Sequence, residues 1–309
     1  MTSVTRSAAD AGQRAGSRRW GAGPRGRRRR VARRDLIGAL LSLPALALFA
    51  FFAIYPGLRV FYLSLFDYSL TAPPEYVGLE NFRFLASDPR FRDAVLNSVF
   101  YTVGTYLPAL VLALLLALAL RRKVAGFGWV RLLYFLPVAT SWVAISVVWR
   151  LVYHPDGLLN QTLHLDVSWL TGSTTAKWAL VIMGIWKETG FFLILFLAGL
   201  ARMPVDVHEA ALVDGANPWQ RFWRVTFPLL KPITAVCSVI AVIRGFQAFS
   251  PQVVLTDGAF GTEVVNLFVY KTAFESARMG RASAVAVLMF LLLITVTLVQ
   301  LRVFRRADA

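Results

Sequence analysis

Six long apolar runs constrain this chain more than any other feature. They cover residues 36–65, 94–120, 132–151, 178–200, 233–255 and 282–301. Each is long enough to cross ~30 Å of hydrocarbon as a helix, which takes ~20 mostly apolar residues. In lipid, only helices and closed barrels satisfy their own backbone hydrogen bonds. Barrel strands alternate in polarity with a period of two. The run Val111-Leu-Ala-Leu-Leu-Leu-Ala-Leu-Ala-Leu120 does not alternate, so helices are expected. The chain is 57% apolar, against roughly 45–50% for soluble domains. A seventh apolar stretch, 264–274, is too short to span. It is expected at the outer interface or dipping between helices.

Basic residues orient the spans. The net charge of +16 would suit a nucleic-acid binder, but such proteins carry a basic face on a folded domain. Here 11 of the 33 basic residues precede Leu36, and most others flank apolar runs. With the N-terminus inside, segments 1–35, 121–131, 202–232 and 302–309 hold 22 Lys and Arg. The opposite segments 66–93, 152–177 and 256–281 hold 7. This asymmetry predicts both ends in the cytoplasm and no nucleic-acid partner. Residues 1–35, rich in Gly, Arg, Ala and Ser, are expected to be disordered. Their role is expected to be contact with anionic lipid headgroups, which gain ~1 kcal/mol per basic residue near the surface. The basic start, apolar stretch and Ala45-Leu46-Ala47 resemble a signal peptide, and Arg33-Arg34 hints at a twin-arginine signal. The apolar run continues through Phe49–Tyr55, too long for a signal core, so an uncleaved first span is expected. The single cysteine, Cys237, cannot form a disulfide within the chain, and His154, His164 and His208 lack metal-ligand spacing, so no metal site is expected.

The longest inner connection, 202–232, carries the most local information. Pro204 and Asp206 signal a helix start, and Asp206 and Glu209 favour its positive N-terminal end. Val205–Val213 reads as a short helix. Gly215 suits a left-handed cap. Asn217-Pro218 then caps and starts a second short helix, 218–226, which Pro228 and Pro232 are expected to end. The result is a helix–glycine–helix elbow. Phe222, Trp223, Val225 and Phe227 are expected at its surface. Such a patch suits either a protein docking surface or an amphipathic hairpin resting on lipid.

The elbow resembles the EAA loop of permease subunits of binding-protein-dependent ABC importers. Glu209-Ala210-Ala211, then Gly215 after three residues, then Val225-x-Phe227-Pro228 after nine more, follow E-A-A-x3-G-x9-I-x-L-P. Five positions match identically, Val225 and Phe227 replace Ile and Leu, and Asp214-Gly215-Ala216 matches a common extension. The wider chain is similar to the carbohydrate-uptake branch of the maltose and glycerol-3-phosphate type. Tyr55-Pro56, Ser64-Leu65-Phe66, Tyr76–Phe82, Asn97-Ser98, Leu136-Pro137, Gly157, Asn160 and Ala198-Gly199-Leu200 carry that likeness over about residues 36–304. After the fifth span the branch usually shows F-D-x4-L-T-x-G-G-P, where this chain has Phe249-Ser250 and Ala259-Phe260.

The resemblance implies an all-α, six-span permease of the type I importer fold. It divides the chain into a tail 1–35, a first helix and outer loop 36–91, a permease domain 92–304 with the loop 202–232, and a cytoplasmic end 305–309. It implies that the elbow couples to an ATPase through Glu209, Ala210, Ala211, Asp214, Gly215, Ala216, Phe222, Val225, Phe227 and Pro228. Expected partners are a second, similar permease, two ATPase subunits and an extracytoplasmic solute-binding protein, with a sugar-like substrate and the bacterial inner membrane. No G-x-x-x-x-G-K-[ST] loop stands in the chain, so ATP and magnesium are expected on the partner ATPase and no cofactor here.

Charges inside apolar runs mark functional or paired positions, because each costs ~2.5–3.5 kcal/mol at the bilayer centre. Arg59 lies near a span end and can snorkel outward. Glu188 and Arg244 lie about 13 and 12 residues from the elbow along spans four and five. At ~1.5 Å per residue they share a depth. They are expected to form either an interhelical ion pair or, with Lys187, a substrate contact in the pathway. Lys187 is a poor partner for Glu188, since adjacent residues do not share a helix face. Trp186, Phe191, Phe192, Phe246 and Phe249 surround these positions and suit a sugar face.

The alternative to an ATP-driven importer subunit is a secondary transporter, which needs coupling carboxylates in the membrane. Glu188 alone supports that, and the elbow stays unexplained. A membrane enzyme needs clustered His, Asp or Glu, which the chain lacks. A non-transporting scaffold is the remaining class. The charge asymmetry fixes the topology test. A reporter after Ala309 is expected to read cytoplasmic and one near Pro73 external; an external C-terminus contradicts the six-span arrangement.

Overall fold

A computed structural model describes residues 40–69, 72–120 and 127–306. The basic tail 1–35, the start of the first run at 36–39, the basic residues 121–123 and the last three residues lie outside these. The described chain is helical apart from one short hairpin. In order come α1 (Leu40–Leu63), strands β1 (Phe66–Ser69) and β2 (Ala72–Tyr76), and α2 (Glu80–Ser87). Then follow α3 (Pro89–Leu120), α4 (Phe127–Ala139), α5 (Trp142–Val152), α6 (Leu158–Leu163), α7 (Ser173–Ala201) and α8 (Val205–Val213). The last are α9 (Pro218–Phe246), α10 (Ser250–Thr256), α11 (Val265–Tyr270) and α12 (Met279–Arg306). Five helices, α1, α3, α7, α9 and α12, are long and apolar enough to cross a membrane, and counting the bent pair α4–α5 as one broken span gives six.

The chain divides after Gly57 into two compact units. In the first, Leu40–Gly57 presents exposed Leu41, Leu43, Phe51 and Phe52. The second holds everything that follows.

Helix packing in the second unit rests on small and hydroxylated residues. The buried positions of α3 recur every three or four residues: Ala94, Asn97, Tyr101, Thr105, Ala109, Ala113, Ala117, Leu120. Hydropathy gives this helix no polar side, because lipid is as apolar as its buried face. Small residues instead let backbones approach and gain dispersion contacts. Helix α3 packs most extensively on α7, where a side chain added at Gly184 would meet Thr105 Cγ2 at 2.7 Å. Around this seam lie Tyr106, Met183, Phe192, Phe196, Leu230 and Cys237. Helix α7 meets α4 as closely: a Cβ at Gly190 would fall onto the carbonyl of Tyr134.

A second cluster joins Leu85 of α2, Ala94 of α3, Val265 and Phe268 of α11, and Ala284 and Val285 of α12. The first half of the short apolar stretch 264–274 therefore packs between helices, while Tyr270 and Phe274 are exposed. Val264, Val265, Leu267 and Phe268 are all buried. Ser98 Oγ accepts from Val265 N–H at 2.8 Å, and Asn97 Nδ2 donates to Glu263 O at 3.0 Å. Asn81 Nδ2 ties α2 to the hairpin by donating to Ser64 O (3.0 Å) and Phe66 O (2.9 Å).

Several expected boundaries move. Helices α3 and α7 begin at Pro89 and Ser173, before the apolar runs do. A helix need not stop where hydrocarbon ends, because its polar turns continue in the interface. The third span is not one straight helix. It bends by 110° between Ala139 and Trp142. The two-helix reading of 218–255 is also corrected: Pro228 and Pro232 end nothing, and one helix runs from Pro218 to Phe246. A π-type turn at Phe222–Thr226, closed by Phe227 N–H on Phe222 O, precedes Pro228. Proline cannot donate and crowds the preceding turn, and the wider π turn accommodates it without breaking the helix. The run 233–255 then splits after Phe246, and 250–256 forms the separate α10.

Candidate functional site

The break in the third span places polar backbone beside buried charge. Pro137 and Thr140 disturb the last turn of α4, and Thr140 Oγ1 donates back to Leu136 O at 3.0 Å. Ser141 is extended and caps α5, its hydroxyl accepting from Val143 N–H at 3.2 Å and Ala144 N–H at 3.5 Å. The carbonyls freed at the bend need donors. Lys187 of α7 supplies them: its Nζ donates to Pro137 O at 2.7 Å and Thr140 O at 2.8 Å. The ammonium also sits 4.9 Å from the Trp142 ring centroid.

One residue on, Glu188 turns to the other side of α7 and meets Arg244 of α9. Arg244 Nη1 lies 3.0 Å from Oε2 and 3.4 Å from Oε1. The carboxylate is 3% exposed and the guanidinium side chain 40%. The Arg244 guanidinium carbon lies 3.8 Å from the Phe191 ring centroid, within cation–π range. Glu188 and Arg244, placed at one depth by residue counting, are thus in contact, while Lys187 serves the helix break.

These three charges face a cavity of about 410 Å³, in the ~300–1,000 Å³ range of small-molecule sites. Tyr101 and Tyr106 of α3 also line it, with Thr140, Ser141, Trp142, Gln247 and the turn Phe249–Pro251. The buried hydroxyl of Tyr101 has no hydrogen-bond partner. Of the five aromatic residues expected here, Phe191 and Phe249 line the cavity. Phe192 and Phe246 are buried in the packing, and Trp186 instead packs against Trp149, ring centroids 5.7 Å apart and tilted by 59°. Sequence reading missed Tyr101, Tyr106, Ser141 and Trp142. The signal was there: Ser98, Tyr101, Thr102, Thr105 and Tyr106 form a polar stripe in an apolar helix, which marks an interior face. Among the described residues no group of His, Cys, Asp and Glu could hold a metal ion.

The second candidate region is the elbow. Helix α8 ends in a paired cap: Ala216 N–H donates to Ala211 O at 3.0 Å, and Gly215 N–H to Leu212 O at 3.1 Å. This Schellman arrangement needs a left-handed residue, and Gly215 has φ +72°. Asn217 and Gln220 form a capping box that starts α9, with reciprocal bonds of 2.8 and 3.0 Å. Glu209, Ala210, Asp214 and Pro228 are exposed, and Ala211 and Ala216 half-buried. Phe222, Val225 and Phe227 are half-buried, not surface residues, because Phe222 and Phe227 pack against Trp223 at 5.0 and 5.2 Å. Of the four expected at the surface, Trp223 is exposed, and Val213 (88%), Trp219 (70%), Leu212 and Val207 are exposed beside it.

Comparisons with known proteins agree with this architecture. Residues 84–308 match the family model of the binding-protein-dependent transport system inner membrane component. The osmoprotective compounds uptake permease protein GgtC of Synechocystis is 34% identical over 276 residues, covering 86% of this chain and 98% of that protein. The trehalose/maltose transport system permease protein MalF of Thermococcus litoralis is 33% identical over 280 residues, covering 87% and 95%. A bacterial ABC transporter involved in import of the acidic polysaccharide alginate shares the fold, with a TM-score of 0.80 at 24% identity over 91% of this chain and 99% of the other.

Losing the Lys187 ammonium deprives the bend of two donors, at about 1–3 kcal/mol. Lys187→Met is therefore expected to lower the thermal unfolding midpoint of the purified protein, and an unchanged midpoint contradicts the role assigned to this ammonium. The chain belongs to the family of binding-protein-dependent transport system inner membrane components, multi-pass membrane proteins.

Proposed function

We propose that this chain is the permease subunit of an ATP-driven importer for a sugar or related solute. Half of the translocation path is the cavity lined by Tyr101, Lys187, Glu188 and Arg244, and a second, similar permease supplies the other half. Relatives of this family named for trehalose/maltose and osmoprotective-compound uptake support that solute class. Two ATPase subunits, carrying ATP and magnesium, bind the elbow on the cytoplasmic side of the bacterial inner membrane. A solute-binding protein delivers substrate from outside. Both termini lie in the cytoplasm, where the basic tail meets anionic lipid.

The observation that carries this reading is the elbow itself. A rigidly capped helix, α8, stands at the end of a span with exposed apolar side chains beside Glu209 and Asp214. Its partner helix is continuous with a spanning helix, α9, so a push on the elbow moves α9 and with it Arg244. ATPase closure then tilts the cavity wall, and the two global states differ in their access. Coupling of this kind is a free energy shared between two sites. This chain makes and breaks no covalent bond in the cycle.

Gly215 gives a test that does not unfold the protein. A Cβ there meets nothing within 4 Å, so the cost of a substitution comes from φ +72° alone. That penalty, roughly 1–2 kcal/mol, alters the elbow and leaves the spans intact. Gly215→Val is expected to insert at normal abundance but lose ATP-dependent uptake, and Glu209→Lys, reversing a charge at the docking face, to do the same. Normal uptake by both variants, with an unchanged ATPase complex, contradicts the coupling assignment.

A further inference from the structure

We infer that the cavity between α3, α5, α7 and α9 selects an anionic solute: a hydroxylated molecule bearing a carboxylate, sulfonate or phosphate. The inference rests on the translocation reading above and adds to it a sign of charge.

The charge inventory of the cavity is short. Among the described residues that line it, Lys187 and Arg244 are cations and Glu188 is the one carboxylate. Glu188 is held by Arg244 at 3.0 Å, so the pair is neutral. Lys187 is bound by two backbone carbonyls, which hold an ammonium without cancelling its charge. The cavity therefore carries one net positive charge, inside segments where an uncompensated charge is costly. A transported anion supplies the missing charge as it passes, and a cation is repelled.

The shape of the donors matches the charge. Glu188 takes one nitrogen of the Arg244 fork, Nη1. The other N–H groups find no protein acceptor among the described residues, while the side chain stays 40% exposed at the cavity wall. Phe191, against one face of the guanidinium, supports it. A planar guanidinium with free in-plane donors suits oxyanions that accept two parallel hydrogen bonds. Thr140, Ser141 and Gln247 line the same cavity and carry polar side chains. Trp142, whose ring lies against the Lys187 ammonium, and Phe249 line it too. An anion fork beside polar and aromatic side chains suits an acidic hydroxylated solute better than a neutral one.

Charged thiol reagents of matched size read the sign directly. Gln247 lines the cavity, is exposed, and its side chain makes no hydrogen bond among the described residues, so Gln247→Cys places a thiol there without removing a contact. The native Cys237 is fully buried, and the otherwise unaltered chain sets the background. In the assembled importer in membrane vesicles, the rates of a sulfonate and a trimethylammonium methanethiosulfonate are measured at this thiol. Their ratio is normalised to that for a free thiol in solution. The sulfonate is expected to be favoured about tenfold, from one unit charge a few ångströms away in a partly screened site. Adding Glu188→Gln raises the ratio further, and adding Arg244→Gln lowers it. A normalised ratio at or below one in the Gln247→Cys protein overturns anion selection and leaves the translocation reading standing. No reaction with either reagent, in any state of the transport cycle, shows a sealed cavity and overturns both. The decisive ratio needs no second substitution, so an Arg244→Gln chain that fails to accumulate does not affect it.

Discussion

The structure depends on how one broken backbone is satisfied within an apolar bent helix pair. Hydrocarbon offers no donors, so a 110° bend between Ala139 and Trp142 is tolerated only where protein replaces the lost helix bonds. Lys187 does this from α7, through two short bonds to Pro137 and Thr140 carbonyls. The consequence reaches further than local stability. Fixing the bend holds Thr140, Ser141 and Trp142 at the cavity wall. It also fixes the face of α7 on which the neighbouring Glu188 lies, and with it the meeting with Arg244 of α9.

Packing elsewhere allows these charges to sit at one place. Helices α3 and α7 approach at Gly104, against Val181, and at Gly184, against Thr105. With no hydrophobic drive between helices in lipid, such close contacts carry association. The seam brings Tyr101 and Tyr106 to the cavity and leaves the larger aliphatic groups facing outward, where Leu107, Val111 and Leu115 are exposed. Helix α9 then links the two candidate sites as one continuous helix. Its first turn belongs to the elbow, its π turn absorbs Pro228, and its last turn carries Arg244.

The number and type of spans were legible because lipid imposes length and apolarity directly on composition. The elbow was legible because its caps are local: Gly215 and Asn217-Pro218 act within a few residues of themselves. The contact of Glu188 with Arg244 could be placed by counting residues from the elbow, since helical rise is regular. What stayed hidden was tertiary. Nothing local to 132–151 says that a lysine 50 residues later will replace the bonds lost at Thr140, so the break read as a straight span. Pro228 looked like a terminator because its cost is computed for an α turn, and the π turn at Phe222–Thr226 changes that geometry. The partial burial of Phe222 and Phe227 depends on their ring contacts with Trp223, which periodicity does not report.

The central claim is that the Glu188–Arg244 pair joins α7 to α9 and builds the wall of the pathway. The most direct measurement is folded abundance in the membrane, with uptake alongside, for Glu188→Gln, Arg244→Gln and the exchange of Glu188→Arg with Arg244→Glu. Stranding a buried charge costs up to ~3–5 kcal/mol, and a solvent-screened one considerably less. The loss is expected to be larger for Arg244→Gln, which strands a carboxylate that is 3% exposed, than for Glu188→Gln, which strands a cation that is 40% exposed. The exchange is expected to recover part of the folded protein. Normal abundance and normal uptake in both single variants would contradict the account.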